Sequence, residues 1–114
     1  MKKQTIDSIF RAFADESRLR ILHLLNQRKE LCVCEFMDIL RMGQSKVSRH
    51  LAYLKRAGLI KGRQQGLWSY YSLSEPKAGF HSRLIECLDA CFNEVPVLRK
   101  DLVSLKCCKP RARK

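Results

Sequence analysis

The chain has 114 residues, 46 % of them hydrophobic, and a formal net charge of +12. That length fits one domain with a core large enough to fold without staples, and no apolar run approaches the ~20 residues that span a bilayer. Met-Lys-Lys at the N-terminus is followed by polar Gln4 and Thr5 rather than an apolar signal core, so a soluble, cytoplasmic protein with no membrane partner is expected.

Ile6, Ile9, Phe10 and Phe13 recur at three- and four-residue spacing, the mark of an amphipathic helix, and Thr5 is its cap. Asp15 caps a second helix. Its stripe is Leu19, Leu22 and Leu25, widened by Ile21 and Leu24, and it ends near Asn26-Gln27. Leu31-Cys32-Val33 is short and apolar, and Glu35 to Leu40 reads as a brief third helix. Arg41-Met42-Gly43 is the turn into a longer helix, Gln44 to Ala57, which Gly58 ends in the left-handed C′ position. Residues 59–64 and 67–74 read as two strands joined around Gln65-Gly66. Pro76 starts a long helix with Phe80, Leu84, Leu88, Cys91, Phe92 and Val95 on one stripe. Pro96 breaks or restarts the chain, and Leu98, Leu102 and Leu105 predict one more short helix before a basic tail. The order predicts a mainly α chain with a small β-hairpin, a winged helix-turn-helix. That unit takes residues 1–96, and residues 97–114 form a C-terminal helix and a cysteine-containing tail.

The charge is concentrated. From Ile39 to Ser74 there are seven basic residues and no acidic one, and from Lys106 to Lys114 five more, again with no acid. The rest of the chain is neutral, so these two blocks carry the whole +12. A 36-residue block without an acid points to a polyanion, and double-stranded DNA is the first candidate. On the helix Gln44–Ala57, Val47, Leu51 and Leu54 cluster within about 60° and face the core. Ser45, Ser48, Arg49, Ala52 and Arg56 fall on the other side. Small side chains let a helix approach a groove. Gln44, the serines and Lys46 meet base edges or phosphates, and arginine binds guanine through two hydrogen bonds. Lys61, Arg63, Gln64 and Gln65 of the hairpin flank a backbone or minor groove. His50 reads as a partly buried structural histidine, and Trp68 as sheet packing. No acid/base pair, nucleophile–base pair or phosphate loop is present, so an enzyme is not expected.

Six cysteines stand at positions 32, 34, 87, 91, 107 and 108. Without a sign of an oxidising compartment, Cys32-Val33-Cys34 and Cys107-Cys108 suit a soft-ligand metal site better than disulfides. Two residues apart, Cys32 and Cys34 would diverge by about 200° on an ideal helix and could not share an ion. A shared ion therefore requires the start of the third helix to be non-helical. Thiolates favour As(III), Sb(III), Cd(II), Pb(II) and Zn(II) over hard cations. Cys87 and Cys91, at i and i+4, read as core or interface packing.

Glu30-Leu31-Cys32-Val33-Cys34-Glu35, followed by Ser45-Lys46-Val47-Ser48-Arg49-His50-Leu51-Ala52-Tyr53-Leu54-Lys55-Arg56-Ala57-Gly58-Leu59-Ile60, resembles the ArsR/SmtB family of metal-responsive repressors over about residues 5–95. The cysteine segment is similar to the thiolate effector site of the arsenical and cadmium/lead branches. The resemblance implies a homodimeric winged-helix repressor that binds operator DNA and loses affinity for it when the effector binds. It also implies a dimer interface of the first and last core helices, which here offer Ile6, Phe10 and Phe13 with the stripe Phe80, Leu84, Leu88, Cys91, Phe92 and Val95. Two departures stand out. The arsenical pattern has a third cysteine three residues after the second, where this chain has Met37. The cadmium/lead pattern adds cysteines in an N-terminal extension, and none precedes Cys32. Cys107 and Cys108 are the spare thiols, with Lys106 and Lys109 beside them to favour the thiolates. One would complete three sulfurs for As(III) or Sb(III), and both would make four for Cd(II), Pb(II) or Zn(II). A thiol redox or reactive-sulfur switch is the remaining alternative. No organic cofactor is expected.

Overall fold

The computed structural model describes residues 5–76, 79–90 and 94–107. In chain order the elements are α1 (Ile6–Phe13), α2 (Glu16–Gln27), β1 (Leu31–Cys32), α3 (Val33–Leu40), α4 (Gln44–Arg56), β2 (Ile60–Gln65), β3 (Trp68–Leu73), α5 (Gly79–Ala90) and α6 (Pro96–Cys107). This is a winged helix-turn-helix, mostly helical, with a three-stranded antiparallel sheet in the order β1-β3-β2. Among the described residues no helix is long and apolar enough to cross a membrane.

Local chemistry sets the helix ends. Thr5 Oγ1 accepts the Ser8 N–H and Ser8 Oγ accepts the Thr5 N–H, both at 3.2 Å, so the first turn of α1 satisfies its own donors. Asp15 Oδ1 accepts the Arg18 N–H at 3.2 Å and starts α2 in the same way. At the end of α4, Gly58 takes φ 79. Its N–H donates to Lys55 O at 3.0 Å and the Leu59 N–H donates to Leu54 O at 3.1 Å, a Schellman ending that a residue with a Cβ would strain. The turn between α3 and α4 falls at Arg41-Met42-Gly43, and Arg41 adopts the left-handed conformation there, with φ 59 and ψ 47.

The core gathers around α2, whose Ile21, Leu22, Leu24 and Leu25 are buried. It packs against α1, α3, α4, α5, α6 and β3. Phe36 of α3, Val47, Leu51 and Leu54 of α4, and Leu88 of α5 close the same core.

Helix α6 belongs to this core. Leu98 and Leu105 are buried, and α6 lies along α2 in the same direction. At the start, Leu98 shares a groove with Glu16 and Leu19. In the middle, Asp101 pairs with Arg20 at 2.8 Å. At the end, the Arg28 guanidinium donates to Leu105 O at 2.9 Å. The last turn of α6 is thereby brought to the junction of α2 and β1.

Strand β1 is an element the sequence reading does not contain. Leu31 pairs with Tyr71 and Cys32 with Tyr70, which makes β1 the third strand of the wing sheet. Helix α3 also begins two residues earlier than expected, at Val33.

Candidate functional site

The exposed face of α4 carries the residues predicted for DNA. Gln44, Ser45, Lys46, Ser48, Arg49 and Arg56 are all exposed, whereas Val47, Leu51 and Leu54 point into the core. The helix is braced from behind. The Arg18 guanidinium lies 4.1 Å from the centroid of the Tyr53 ring, and it donates to Ala12 O at 3.1 Å and Arg11 O at 2.9 Å. Tyr53 also faces Arg56, 5.9 Å from its ring centroid. Arg18 thus ties α4 to the junction of α1 and α2 by a cation–π contact. The sequence reading missed this brace. His50 is half-buried, and burial pulls its pKa down against the opposing pull of Asp15.

In the wing, Lys61 and Gln64 are exposed and Gln65 is half-buried. Arg63 is exposed as well, but its guanidinium is engaged by neighbours in the same chain. Its Nε donates to Glu30 Oε2 at 2.7 Å, its Nη2 to Glu30 Oε1 at 2.8 Å and its Nη1 to Gln65 Oε1 at 2.7 Å. The guanidinium also lies 4.6 Å from the Tyr70 ring centroid, and the bond to Glu30 raises its pKa further. Trp68 departs from the expectation of sheet packing. It is 42 % exposed, next to Leu67 at 97 %, because the turn at Gly66 (φ 60) carries both to the wing tip.

The thiol pair sits where strand becomes helix. Cys32 ends β1 and is the N-cap of α3 with φ −94 and ψ 165. Cys34 falls in the first helical turn. The backbone is extended at Cys32 but already helical at Val33 and Cys34, so the non-helical stretch that a shared ion requires stops at Cys32. Cys32 is fully buried, and its N–H donates to the buried Glu35 carboxylate, Oε1, at 2.8 Å. Burial pushes the Cys32 thiol pKa up. The backbone N–H groups of Glu35 and Cys34 pull it down, but the Glu35 carboxylate raises it again. Cys34 is half-buried. Among the described residues, no group of three or more His, Cys, Asp or Glu stands ready to hold a metal ion. Cys107 is the last residue of α6, the end that reaches the junction of α2 and β1. Cys108, Cys91 and Phe92 lie outside the described residues, as do the side chains of Phe80 and Cys107. Cys87 is half-buried on α5 and forms no disulfide among the described residues.

Of the residues predicted for a dimer face, Ile6 is 53 %, Phe10 48 % and Val95 37 % exposed. Phe13 and Leu84 are half-buried against the core. Leu88 is different: it is fully buried within the single chain, so it turns inward and offers a partner no surface.

Comparison with known proteins agrees with this architecture. The family described as "Bacterial regulatory protein, arsR family" matches residues 15–61. The arsenical resistance operon repressor of Escherichia coli K12 is 38 % identical over 100 residues, covering 87 % of this chain and 86 % of that one. HlyU from Vibrio cholerae N16961 superposes with a TM-score of 0.67 at 34 % identity, covering 77 % of this chain and 91 % of that one. The homodimeric winged helix-turn-helix DNA-binding domain from Mycobacterium bovis superposes with a TM-score of 0.63 at 28 % identity, covering 78 % and 79 % of the two chains. The fold, its exposed basic α4 and the match over most of both chains lead to one conclusion: the chain belongs to the ArsR family of bacterial regulatory proteins.

Proposed function

We propose that the protein is a homodimeric transcriptional repressor that binds operator DNA through α4 and the wing, and that binding of As(III) or Sb(III) to its thiols releases it. The observation that carries this reading is the place of Cys32 and Cys34 at the strand-to-helix junction that starts α3, the helix packed on α4. The relative from E. coli is named an arsenical resistance operon repressor, and the domain from M. bovis is named homodimeric.

On DNA, the exposed Gln44, Ser45, Ser48 and Arg49 read base edges in the major groove. Lys46, Arg56 and Lys61 meet phosphates, which makes affinity fall steeply with salt. Gln64 and Gln65 follow the backbone beside the groove. Two copies of this surface, joined through Ile6, Phe10, Phe13 and Val95, reach half-sites about one helical turn apart.

For the effector, Cys32 and Cys34 supply two sulfurs and Cys107 or Cys108 a third. Neutral arsenous acid, As(OH)₃, exchanges each hydroxide for a thiolate. Each thiol proton leaves with a hydroxide as water, so three As–S bonds form and three waters depart. Gathering the buried Cys32 sulfur and the Cys34 sulfur onto one ion takes Cys32 out of its N-cap position. That shifts the first turn of α3 and with it the seat of α4.

Operator binding followed by fluorescence anisotropy tests the reading, with arsenite, antimonite, cadmium and peroxide titrated separately. Release by arsenite or antimonite at stoichiometric concentration is expected. Release by peroxide alone, without metal, would replace this reading with a redox one.

A further inference from the structure

The strand that carries the first thiol is the edge strand of the wing sheet, and its partner among the described residues is β3 alone. Cys32 stands opposite Tyr70, and Tyr70 stands opposite Arg63. The three residues form one row across all three strands, and directly opposed residues of antiparallel strands point to the same face. Glu30 closes the row. It immediately precedes β1, and its carboxylate takes two hydrogen bonds from Arg63, at 2.7 and 2.8 Å. The same guanidinium stacks on the buried Tyr70 ring at 4.6 Å. An exposed ion pair is usually weak. This one is bidentate, planar and stacked on an aromatic face, the arrangement in which arginine is most strongly oriented.

We propose that Glu30, Tyr70 and Arg63 are positioning residues for the wing, fixing its angle on the thiol strand so that loading Cys32 moves the wing as well as α3. The proposal rests on the thiolate-effector reading above. Arg63, although 45 % exposed in its side chain, then acts through its contacts within the chain. Its charge is countered by Glu30, and Nη1 is occupied by Gln65 Oε1 at 2.7 Å. This replaces the direct DNA contact that its place in the basic block predicts. Strand β1 has only two residues, so it has no slack. A displaced Cys32 either carries Tyr70 with it or gives up its pairing with β3. In both cases the Glu30–Arg63 clamp, one strand further on, loses its geometry.

The only tryptophan, Trp68, begins β3 and is 42 % exposed, so its emission reports the wing directly. The full-length protein is loaded with arsenite or, in a second arm, with methylmercury, which occupies single thiols and needs no third sulfur. Loading is expected to shift Trp68 emission in the unaltered protein. Glu30→Gln and Arg63→Met should lose most of that shift while taking up the same amount of either thiol ligand. The ratio of operator affinity without and with arsenite should fall about fivefold or more in each variant. The double variant should lose no more than either single one, because the two residues act as a unit. An unshifted Trp68 in the loaded, unaltered protein would overturn the proposal, and so would variants that keep the full shift. Arg63→Met weakening operator binding equally with and without arsenite, while Glu30→Gln tightens it, would instead make Arg63 a direct phosphate contact. The fluorescence arm uses no DNA. If operator binding ignores arsenite, the functional reading fails while the wing linkage is still decided by Trp68.

Discussion

Arg20 grips Asp101 with both arms of its guanidinium, Nε to Oδ2 at 2.8 Å and Nη2 to Oδ1 at 2.9 Å, joining α2 to α6. Asp101 is 2 % exposed, so removing its charge leaves a guanidinium without its carboxylate at a largely dry contact. Asp101→Ala is expected to lower stability by about 3 kcal/mol, the scale on which a broken buried pair is felt. Urea unfolding measures it. The pair also fixes the end of α6 near the α2–β1 junction, so the same variant should bind arsenite more weakly if Cys107 or Cys108 supplies the third sulfur.

The Cys32 thiol, raised by burial and by the Glu35 carboxylate, is protonated at neutral pH. Alkylation with iodoacetamide, read by peptide mass spectrometry, should reach the half-buried Cys34 before Cys32 at pH 7. The Cys32 rate should go on climbing with pH beyond the range where an ordinary thiol levels off near its pKa of about 8.5. The linkage to stability has a definite sign. A thiol whose folded pKa is raised adds stability that is complete below its unfolded pKa and is lost as pH rises through the folded one. The unaltered protein should therefore lose stability at alkaline pH, and Cys32→Ser should lose less.

On the reading helix, Arg49 and Lys46 are exposed but have different expected roles. Arg49→Ala should weaken operator binding by about 1–3 kcal/mol and relax base preference at one position of each half-site. Lys46→Ala should weaken binding to all sequences alike and make the log–log salt slope shallower by roughly 1 for each phosphate it ceases to neutralise. Anisotropy titrations at several salt concentrations separate the two. Equal salt slopes for Lys46→Ala and the unaltered protein would remove Lys46 from the phosphate-binding set.

Ile6 and Phe10 lie on one face of α1 and are about half exposed. Phe10→Glu should leave the fold intact, because Phe10 is outside the buried core, and should break the dimer. Sedimentation velocity should then give a monomer, and operator affinity should fall because the two half-sites are no longer bound together. A Phe10→Glu protein that sediments as the dimer would move the interface elsewhere.

Much of the fold can be read from the chain because its causes are local. Thr5 and Asp15 cap the helices they precede. The Val47, Leu51 and Leu54 stripe orients α4, and Gly58 ends it. What escapes the sequence depends on residues far apart. A two-residue strand has no periodicity to detect, and β1 exists only because Tyr70 and Tyr71 lie beside it. The pairing of Arg63 with Glu30 cannot be read from an all-basic block, because the acid is 33 positions away. Trp68 reads as packing because aromatics favour strands, but the turn at Gly66 sends it outward. One missed feature did leave a signal. Cys32 and Glu35 have the three-residue spacing of a capping box, with sulfur where serine or threonine usually stands.

The central claim is that Cys32 and Cys34 convert thiol ligation into loss of DNA binding. It is tested most directly by operator affinity with and without saturating arsenite, in the unaltered protein and in Cys32→Ser and Cys34→Ser. Arsenite should lower the affinity of the unaltered protein about fivefold or more. Each serine variant should bind the operator as tightly as the unaltered protein does without arsenite and stay bound when arsenite is added. A Cys32→Ser protein that is released as readily as the unaltered one would contradict the account.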